Sequence, residues 1–283
     1  DWYDRYHCYQ DAQRDPNGID RDRGRIYRIR YKNSPRAPKF DLGRESDDQL
    51  IDRLRSGGLV DHLQTSNAYY HETARRLLAE RATPDVKAKL EKLVLNEVET
   101  RETRMQALWA RVSCGPLEAE FEQKLLDHKD PGFRGWAIRA AGNAGKADDA
   151  VRARIVALAK DEAPTVRLQA ATAARKIEGI DAIPTLLDAL DSGGDDRLIP
   201  HVVWQNLHPL LEDHADEFVQ IVERTDLAKT PRLAALMPRV VDRVLGRKQF
   251  DAGLVASLFG VLLGAKGIDC LLYTSPSPRD RQK

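Results

Sequence analysis

The first candidate for metal binding is His71-Glu72, which matches the first two residues of the zinc-binding pattern HExxH. That pattern requires a second histidine four residues after the first, and this chain has Arg75 there. Without the second imidazole, a metal ion has no paired ligand on that face of a helix. We therefore predict no zinc site at His71.

Residues 13–24 superficially resemble a calcium-binding loop, in which oxygen ligands recur at alternate positions. Asp15 and Asn17 would fill the third and fifth positions of such a loop. The first and twelfth positions hold Gln13 and Gly24, although the twelfth requires a bidentate Glu. We interpret this segment as a turn with solvated carboxylates.

His7-Cys8 is a further pair of the nucleophile or metal-ligand type. Adjacent residues on an extended chain point to opposite faces, so the two cannot easily share one ligand. A packing role for Cys8, or a disulfide to an upstream partner, is the better interpretation. Cys114 and Cys270 are widely spaced, and the sequence contains no Cys-x-x-Cys or haem-attaching Cys-x-x-Cys-His. We predict no catalytic residue, no metal site and no cofactor in this chain.

The charge balance narrows the possible classes of function. The chain has 45 Lys and Arg against 44 Asp and Glu, a formal net charge of +1. A dedicated nucleic-acid binder normally has a clear basic excess, so we predict no nucleic-acid partner. Hydrophobic residues make up 42% of the chain, which is enough for a packed core. The best candidate for a membrane span, residues 254–263, is too short, so no transmembrane segment is predicted.

A short phrase recurs about every 33 residues: an apolar or small residue, then Arg or His, two further residues, and Ala. Its second positions are His71, Arg104, Arg134, Arg167, His201 and Arg232. Its closing positions are Ala74, Ala107, Ala137, Ala170 and Ala235, with Trp204 in the fifth unit. A period in this range indicates stacked helical repeats. We expect the small residues to let helices approach closely, and the Arg residues to brace a neighbouring turn or carbonyl.

The apolar periodicity from Ser46 onward predicts paired helices. The first helices of the pairs (A-helices) are predicted at 47–56, 84–97, 116–128, 147–160, 181–191, 212–224 and 249–263. The second helices (B-helices) are predicted at 66–81, 100–113, 131–142, 164–177, 198–208 and 230–246. Ser46 is a predicted N-cap, and prolines at or near several helix starts support these boundaries.

The helical part, roughly residues 46–265, resembles HEAT repeats. Asp130-Pro131-Gly132-Phe133-Arg134-Gly135-Trp136-Ala137 and Ala163-Pro164-Thr165-Val166-Arg167-Leu168-Gln169-Ala170-Ala171 match the second-helix signature of that family. Trp204 departs from the pattern. The resemblance implies an all-α fold, an α-solenoid of about six HEAT-like helical pairs.

In HEAT-type arrays the B-helices line the concave face, and such faces commonly bind partners. The candidate binding residues on these helices are Arg75, Arg76, Arg139 and Arg175. A simple solvated face is the alternative, because acidic residues are nearly as numerous as basic ones. Trp109, Trp136 and Trp204 also recur on the B-helices, and we interpret them as core between repeats rather than as a ligand cage.

The N-terminal part of the chain has a different character. Residues 24–31 alternate with the period of a β-strand. Residues 1–11 and 24–29 resemble the end of a sugar-dehydrogenase-type β-propeller. A propeller followed by HEAT repeats is the layout of large membrane-bound dehydrogenases of PVC-group bacteria. The resemblance implies a parent protein in the periplasm or cell envelope, acting on a sugar-like substrate with a quinone cofactor of the PQQ type and a c-type haem.

Three regions are predicted. Residues 1–45 form the end of a truncated propeller plus a linker, residues 46–267 form the solenoid, and residues 268–283 form a non-native tail. The tail resembles translated sequencing-adapter read-through of a metagenomic gene, and a low-complexity Ser/Pro tail is the alternative. Because the chain begins at Asp1 without Met, we expect a fragment of a longer protein.

The leading functional hypothesis is a non-catalytic scaffold or docking module of an exported multi-domain dehydrogenase, contacting adjacent domains or a protein partner. An independent HEAT scaffold for protein–protein interaction is the alternative. A HEAT-type nucleic-acid binder is a third class, which the net charge disfavours.

Overall fold

The computed structural model describes residues 29, 32–33, 41–55, 59–60, 63–64, 68–249 and 251–264. The chain divides into two compact units, Asp1–Asp41 and Leu42–Lys283. Apart from Ile29, the predicted strand at 24–31 lies outside the described residues. The calcium-like loop, the His7-Cys8 pair and the tail lie outside them as well.

The described residues of the second unit form thirteen α-helices, which confirms the predicted all-α solenoid. The helices are α1 Asp47–Asp52, α2 Ala68–Arg81, α3 Pro84–Leu95, α4 Arg101–Ser113, α5 Ala119–Leu126, α6 Pro131–Ala144, α7 Asp149–Ala157, α8 Pro164–Ala173, α9 Ala182–Asp191, α10 Leu198–Leu210, α11 Ala215–Glu223, α12 Pro231–Leu245 and α13 Ala252–Gly264. Two-residue antiparallel strands, Leu59–Val60 (β1) and Leu63–Gln64 (β2), lie between α1 and α2. Single 3-10 turns occupy Leu42–Arg44 and Leu158–Lys160.

Local capping explains why most helices begin close to where the sequence predicts. Ser46 Oγ accepts a hydrogen bond from Gln49 N at 3.3 Å, and Gln49 Oε1 accepts one from Ser46 N at 2.9 Å. This reciprocal capping box satisfies two backbone donors at the start of α1. Proline opens α3, α6, α8 and α12, where its missing N–H has no helical acceptor to lose.

Helices α5 and α8 are shorter than predicted. Helix α5 begins three residues after Pro116, because the carbonyls of Gly115 and Pro116 accept hydrogen bonds from Arg111 Nη1 at 3.3 and 3.1 Å. Helix α8 ends at Ala173 rather than 177, and the chain then turns through Gly179, whose φ of +82° is a left-handed conformation. The helical period of the sequence encodes neither the Arg111 contacts before α5 nor the turn after α8.

The helices stack as an array of pairs. Within pairs, α3 packs on α4, α5 on α6 and α9 on α10, while successive B-helices pack as α2 on α4, α6 on α8 and α8 on α10. The approach of α6 to α8 depends on a glycine, because a Cβ added at Gly142 would lie 3.2 Å from Ala173 Cβ. The small side chains here bring two B-helices close together along one side of the array.

Candidate protein-binding face

The repeated phrase lies on the buried side of four successive B-helices, α2, α4, α6 and α8. Its closing residues in these helices are 0% exposed: Ala74, Ala107, Ala137 and Ala170. Its second positions there are also buried: His71, Arg104, Arg134 and Arg167. Buried guanidinium groups need partners, and their contacts therefore determine what these residues do.

Arg134 and Arg167 make the same contacts one repeat apart. Arg134 Nη1 donates to the carbonyls of His128 and Lys129 at 2.8 and 3.0 Å. Arg167 Nη1 donates to the carbonyls of Asp161 and Glu162 at 2.6 and 3.0 Å. In both cases the acceptors lie six and five residues before the arginine, in the loop that connects the A-helix to its own B-helix.

These arginines also connect successive repeats. Arg134 Nη2 forms an ion pair of 2.7 Å with Asp161 Oδ1, in the loop whose backbone Arg167 holds. One repeat earlier, Arg104 Nε donates to Val94 O at 2.7 Å, and Arg104 Nη2 lies 3.0 Å from His128 Nε2. Burial, with the charge of Arg104 next in importance, lowers the pKa of His128 and favours a neutral ring. The interhelix loops of three repeats are thereby joined through side chains.

The phrase shifts register in α10. The buried residues of this helix include Ile199, Val203 and Leu207, whereas His201 is exposed. The core-facing unit is therefore Ile199-Pro200-x-x-Val203, one residue earlier than the predicted unit, and proline stands where the preceding repeats have arginine. Valine rather than alanine occupies the small-residue position.

Helix α12 also departs from the phrase. Ala235 is exposed, while Leu233 and Met237 are buried. Arg232 is only partly buried, and its Nη1 donates to the Asp191 carbonyl at 2.7 Å. Of the six predicted units, the first four thus share one pattern of burial and the last two differ from it.

A row of two aromatic rings flanked by two cations runs across α2, α4 and α6. The Arg75 guanidinium lies 5.3 Å from the centroid of the Trp109 ring, and the Arg139 guanidinium lies 4.7 Å from that of Trp136. The two indole rings are 5.8 Å apart at 58°. Both are half-buried, so they join adjacent repeats and still have part of their surface accessible to solvent. Such cation–π contacts hold the guanidinium groups in place.

A polar groove of about 210 Å³ continues this row between α6 and α8. Its lining consists of Arg139, Gly142, Asn143, Gln169, Thr172, Ala173 and Lys176. No acidic side chain contributes to this lining. The row and the groove share Arg139, and together we call them the B-helix face.

The groove end of the B-helix face is basic because the helices that line it, α6 and α8, lack acidic residues, whereas α2 and α4 contain Glu72, Glu80 and Glu102. Helices α6, α8 and α10 contain no Asp or Glu. Within the described part of the chain, no carboxylate lies within 4.0 Å of the Arg139 guanidinium or the Lys176 ammonium. By contrast, α9 and α11 have acidic residues and no Lys or Arg. In this part of the array, acidic residues are therefore absent from the B-helices α6, α8 and α10 and present on the A-helices α9 and α11.

The four predicted binding arginines do not all lie on the B-helix face. Arg75 and Arg139 do. Arg76 is exposed and forms an ion pair with Glu80 of the same helix. Arg175 lines a different cavity of about 280 Å³, whose lining also includes Asp181, His214 and Glu217. Burial and the nearby Asp181 raise the pKa of Glu217 in this second cavity.

A largely buried set of charges connects α3, α4 and α5. The Arg111 side chain is 0% exposed, and its Nε donates to Glu91 Oε1 at 2.6 Å. Glu122 of α5 is 6% exposed, and burial, together with the charge of Asp148, raises its pKa to about 7. Arg111 opposes this rise through its charge. Arg111 thus links α4 to Glu91 of α3 and to the loop before α5.

In the described residues, the candidate metal ligands and nucleophiles of the sequence do not form a common site. Arg75, at the closing position of the near-zinc pattern, lies over the ring of Trp109. Among the residues with described positions, no three His, Cys, Asp or Glu side chains come together as metal ligands. Cys114 is buried, and its desolvation raises the thiol pKa. None of the described helices combines the length and apolar character that a membrane span requires.

Sequence reasoning did not identify Lys176, Gln169 or Asn143 as surface residues of interest. The sequence does contain a relevant signal, since α6, α8 and α10 lack Asp and Glu. Only the stacking of these helices shows that they lie side by side. The contact between Trp109 and Trp136 was obscured for another reason. Trp109 follows the arginine of its repeat by five residues and Trp136 by two, so the contact is diagonal and no fixed period reveals it.

Residues 118–202 match the model of the protein family described as HEAT repeats. The match extends from just before α5 into α10 and includes both B-helices of the polar groove. No curated protein gave a significant match to the chain. HEAT repeats typically mediate interactions between proteins through the extended surface of their stacked helices. Residues 118–202 are therefore a HEAT-repeat region within an all-α solenoid.

Proposed function

We propose that the helical array is a non-catalytic docking module that binds a protein partner through the B-helix face. The observation that carries this proposal is the row formed by Arg75, Trp109, Trp136 and Arg139. Arginine and tryptophan are the residue types most enriched among the energetically dominant residues of protein interfaces. Here Arg75, Trp109 and Trp136 are half-buried and Arg139 is exposed, and the four side chains contact one another within α6 and across α2, α4 and α6, next to a polar groove.

The bracing arginines support a rigid surface rather than a reactive one. Arg134 and Arg167 bond to carbonyls of the interhelix loops, and Arg104 bonds to the Val94 carbonyl in the last turn of α3 and contacts His128 in the loop after α5. These bonds fix each B-helix relative to the preceding A-helix. A preorganised face loses less conformational entropy on binding than a mobile one, which favours affinity.

A peptide-display selection tests the proposal. The full chain is immobilised and panned against a library of random displayed peptides, and hydrogen–deuterium exchange is then measured with and without an enriched peptide. We expect slower exchange in α4, α6 and α8, because their surface residues form the B-helix face. Protection confined to α3, α5 and α7, or no enrichment over an uncoated surface, would contradict the proposal.

A pair of matched variants makes the test specific. Trp136→Ala with Arg139→Ala removes the centre of the B-helix face, and we expect it to abolish capture of the enriched peptides. Lys92→Ala with Arg224→Ala removes two exposed side chains from α3 and from the C-terminal end of α11. This control should leave capture unchanged. Circular dichroism of both variants separates loss of binding from loss of fold.

A finer assignment rests on the resemblance of residues 1–11 and 24–29 to the end of a sugar-dehydrogenase-type propeller. In this form of the proposal, the array positions a catalytic propeller relative to an electron acceptor. The parent protein is then exported to the periplasm or cell envelope, and its quinone cofactor and c-type haem are bound outside this chain. The gene sequence upstream of Asp1 tests this directly. Propeller blades and a signal peptide would support it, whereas an initiator Met close to Asp1 would refute it and leave an independent scaffold.

A further inference from the structure

We propose that the B-helix face selects an acidic peptide segment, whose carboxylates pair with Arg139 and Lys176 while an apolar side chain of the segment packs on Trp109 and Trp136. This inference rests on the proposed docking function and specifies the chemistry of the partner. It depends on the charge of the groove, on the geometry of the stacked cations, and on the contrast with the other surfaces of the array.

The cations of the groove lack ion-pair partners among the described residues. Many surface cations of the array are paired, for example Lys89 with Asp48 and Asp85, and Arg154 with Asp127. Arg139 and Lys176 have no such partner within the described part of the chain. Because α6 and α8 contain no Asp or Glu, these helices cannot supply one. A partner that brings carboxylates would supply the missing charge.

The arginines are held in an orientation suited to carboxylates. Each guanidinium stacks on an indole face, Arg75 on Trp109 and Arg139 on Trp136. A stacked guanidinium keeps its N–H edges free, and these edges match the two oxygens of a carboxylate. The two indoles lie between the arginines, and because both are only half-buried they offer an apolar contact. A peptide in which acidic residues flank an aromatic or aliphatic residue matches this row of arginine, two indoles and arginine.

The cavity that contains Arg175 is a poorer site for an acidic peptide than the B-helix face. The cavity that contains Arg175 also contains Asp181 and Glu217, and the mutual repulsion of these carboxyl groups helps to raise the pKa of Glu217. An acidic segment would be repelled there. Helices α9 and α11 have only acidic charged side chains, so they disfavour it as well.

A peptide fits this pattern better than a nucleic acid does. Double-stranded DNA presents one phosphate charge about every 1.7 Å along its axis, and its binders follow it with many cations. The cations of the B-helix face are few and are separated by indole rings and by the neutral side chains of Asn143, Gln169 and Thr172. Isolated carboxylates within a mixed sequence match this spacing.

Fluorescence anisotropy of the full chain with defined peptides tests the inference. The probe is a fluorescein-labelled peptide in which Glu alternates with Phe and Gly, and the comparison peptide has Lys in place of every Glu. We expect the Glu peptide to bind, its affinity to fall as NaCl increases, and the Lys peptide to show no binding. Equal binding of the two peptides would overturn the inference.

Charge-reversal variants locate the binding. Arg139→Glu with Lys176→Glu should weaken binding of the Glu peptide by at least about tenfold, because two charge-assisted contacts become repulsive. Lys92→Glu with Arg224→Glu makes the same change of net charge on the other side of the helical pairs and should alter affinity by less than about twofold. Thermal unfolding confirms that both variants are folded. An equal loss in the two variants would show a nonspecific charge effect and would overturn the inference.

The remaining outcomes separate this inference from the function on which it rests. If display-selected neutral peptides protect α4, α6 and α8 while Arg139→Glu with Lys176→Glu has no effect on them, docking stands and the acidic selectivity fails. If no peptide protects these helices, the docking function itself fails. Tighter binding of a labelled duplex DNA than of the Glu peptide would overturn the inference in favour of nucleic acid. Self-association that the same charge reversal abolishes would overturn it in favour of a second copy of the chain.

Discussion

Single buried charges determine much of how this array holds together. Arg111 is fully inaccessible, yet it bonds to Glu91 and to the carbonyls that precede α5. Removing one partner of a buried ion pair is costly because the other charge remains buried. No repeat position predicts this residue, which follows the phrase arginine of its helix by seven residues. Arg111 matters because it bonds to the loop at residues 115–116, which directly follows its own helix.

Glu122 gives a pH-dependent prediction at the residue scale. Its pKa in the folded chain is about 7 against an ordinary value of 4.5, so the folded state binds more protons than the unfolded state between these pH values. Stability contributed by Glu122 is complete below pH 4.5 and is lost as the pH rises towards 7. Glu122→Gln stays neutral, and we expect it to be more stable than the parent chain at pH 8 by on the order of 2 kcal/mol.

Urea unfolding of the parent chain and the Gln variant across this pH range measures the effect. The two free energies should converge near pH 4 and separate as the pH rises. Glu120→Gln on the same helix is the control, because Glu120 is exposed and its contact with Lys124 lowers its pKa. This control should show no stabilisation at pH 8. A difference between the parent chain and Glu122→Gln that is constant with pH would show that Glu122 is not the titrating group.

At the scale of helices, the sequence predicted well which helices exist and in what order, and it predicted less well which residues of each helix face the core. Thirteen predicted helices correspond to thirteen in the described residues, because capping residues and helix-opening prolines are local signals. The register of α10 differed by one residue, since His201 matches the phrase by spacing alone. What fixes the register is the packing of Ile199 and Val203 against neighbouring helices, and that information lies outside the segment.

Gly142 provides the prediction at the element scale. A Cβ at this position would meet Ala173 Cβ at 3.2 Å, so a larger side chain must push α6 away from α8. We expect Gly142→Val to destabilise the array by about 1–3 kcal/mol, the usual cost of overpacking. Gly260→Val in α13 is the matched control, because nothing lies within 4 Å of a Cβ there. Valine has a better helix propensity than glycine, so the control should be neutral or slightly stabilising.

Chemical denaturation of the two valine variants measures both effects. The Gly142 variant should also lose affinity for peptides at the B-helix face, because Gly142 lines the groove. Equal stability of the two variants would mean that α6 and α8 can separate without cost. In that case the close approach would not be a constraint on the fold.

At the scale of the whole molecule, the separation of charge could not be predicted from composition. The net charge of +1 indicated no preference for any partner. The stacking of α6, α8 and α10 places three helices without acidic residues side by side, and the acidic residues of α9 and α11 lie on A-helices. Each helix sequence contains this information, but only the alternation of A- and B-helices turns it into a basic face.

The arginine contacts between loops predict how the array unfolds. Stacked repeats are stable only through nearest-neighbour contacts, so a residue that joins two repeats affects cooperativity as well as stability. Arg134 bonds within its own loop and to Asp161 of the next, and both side chains of this ion pair are 8% exposed. Arg134→Met should therefore destabilise the chain by about 3 kcal/mol, because it leaves the Asp161 carboxylate buried without its cation. Arg232→Met, at a partly exposed position with one backbone contact, should cost less than about 1 kcal/mol.

Hydrogen–deuterium exchange under mild denaturant distinguishes a lost contact from lost coupling. In the parent chain, α5–α6 and α7–α8 should exchange together, since the loops that join each pair are bonded to one another through Arg134. In Arg134→Met the two pairs should exchange at different denaturant concentrations, and the urea transition should broaden. A sharp transition shifted to lower urea, with both pairs still exchanging together, would mean that apolar packing alone couples the repeats. The arginine of the phrase would then stabilise its own loop without linking the array.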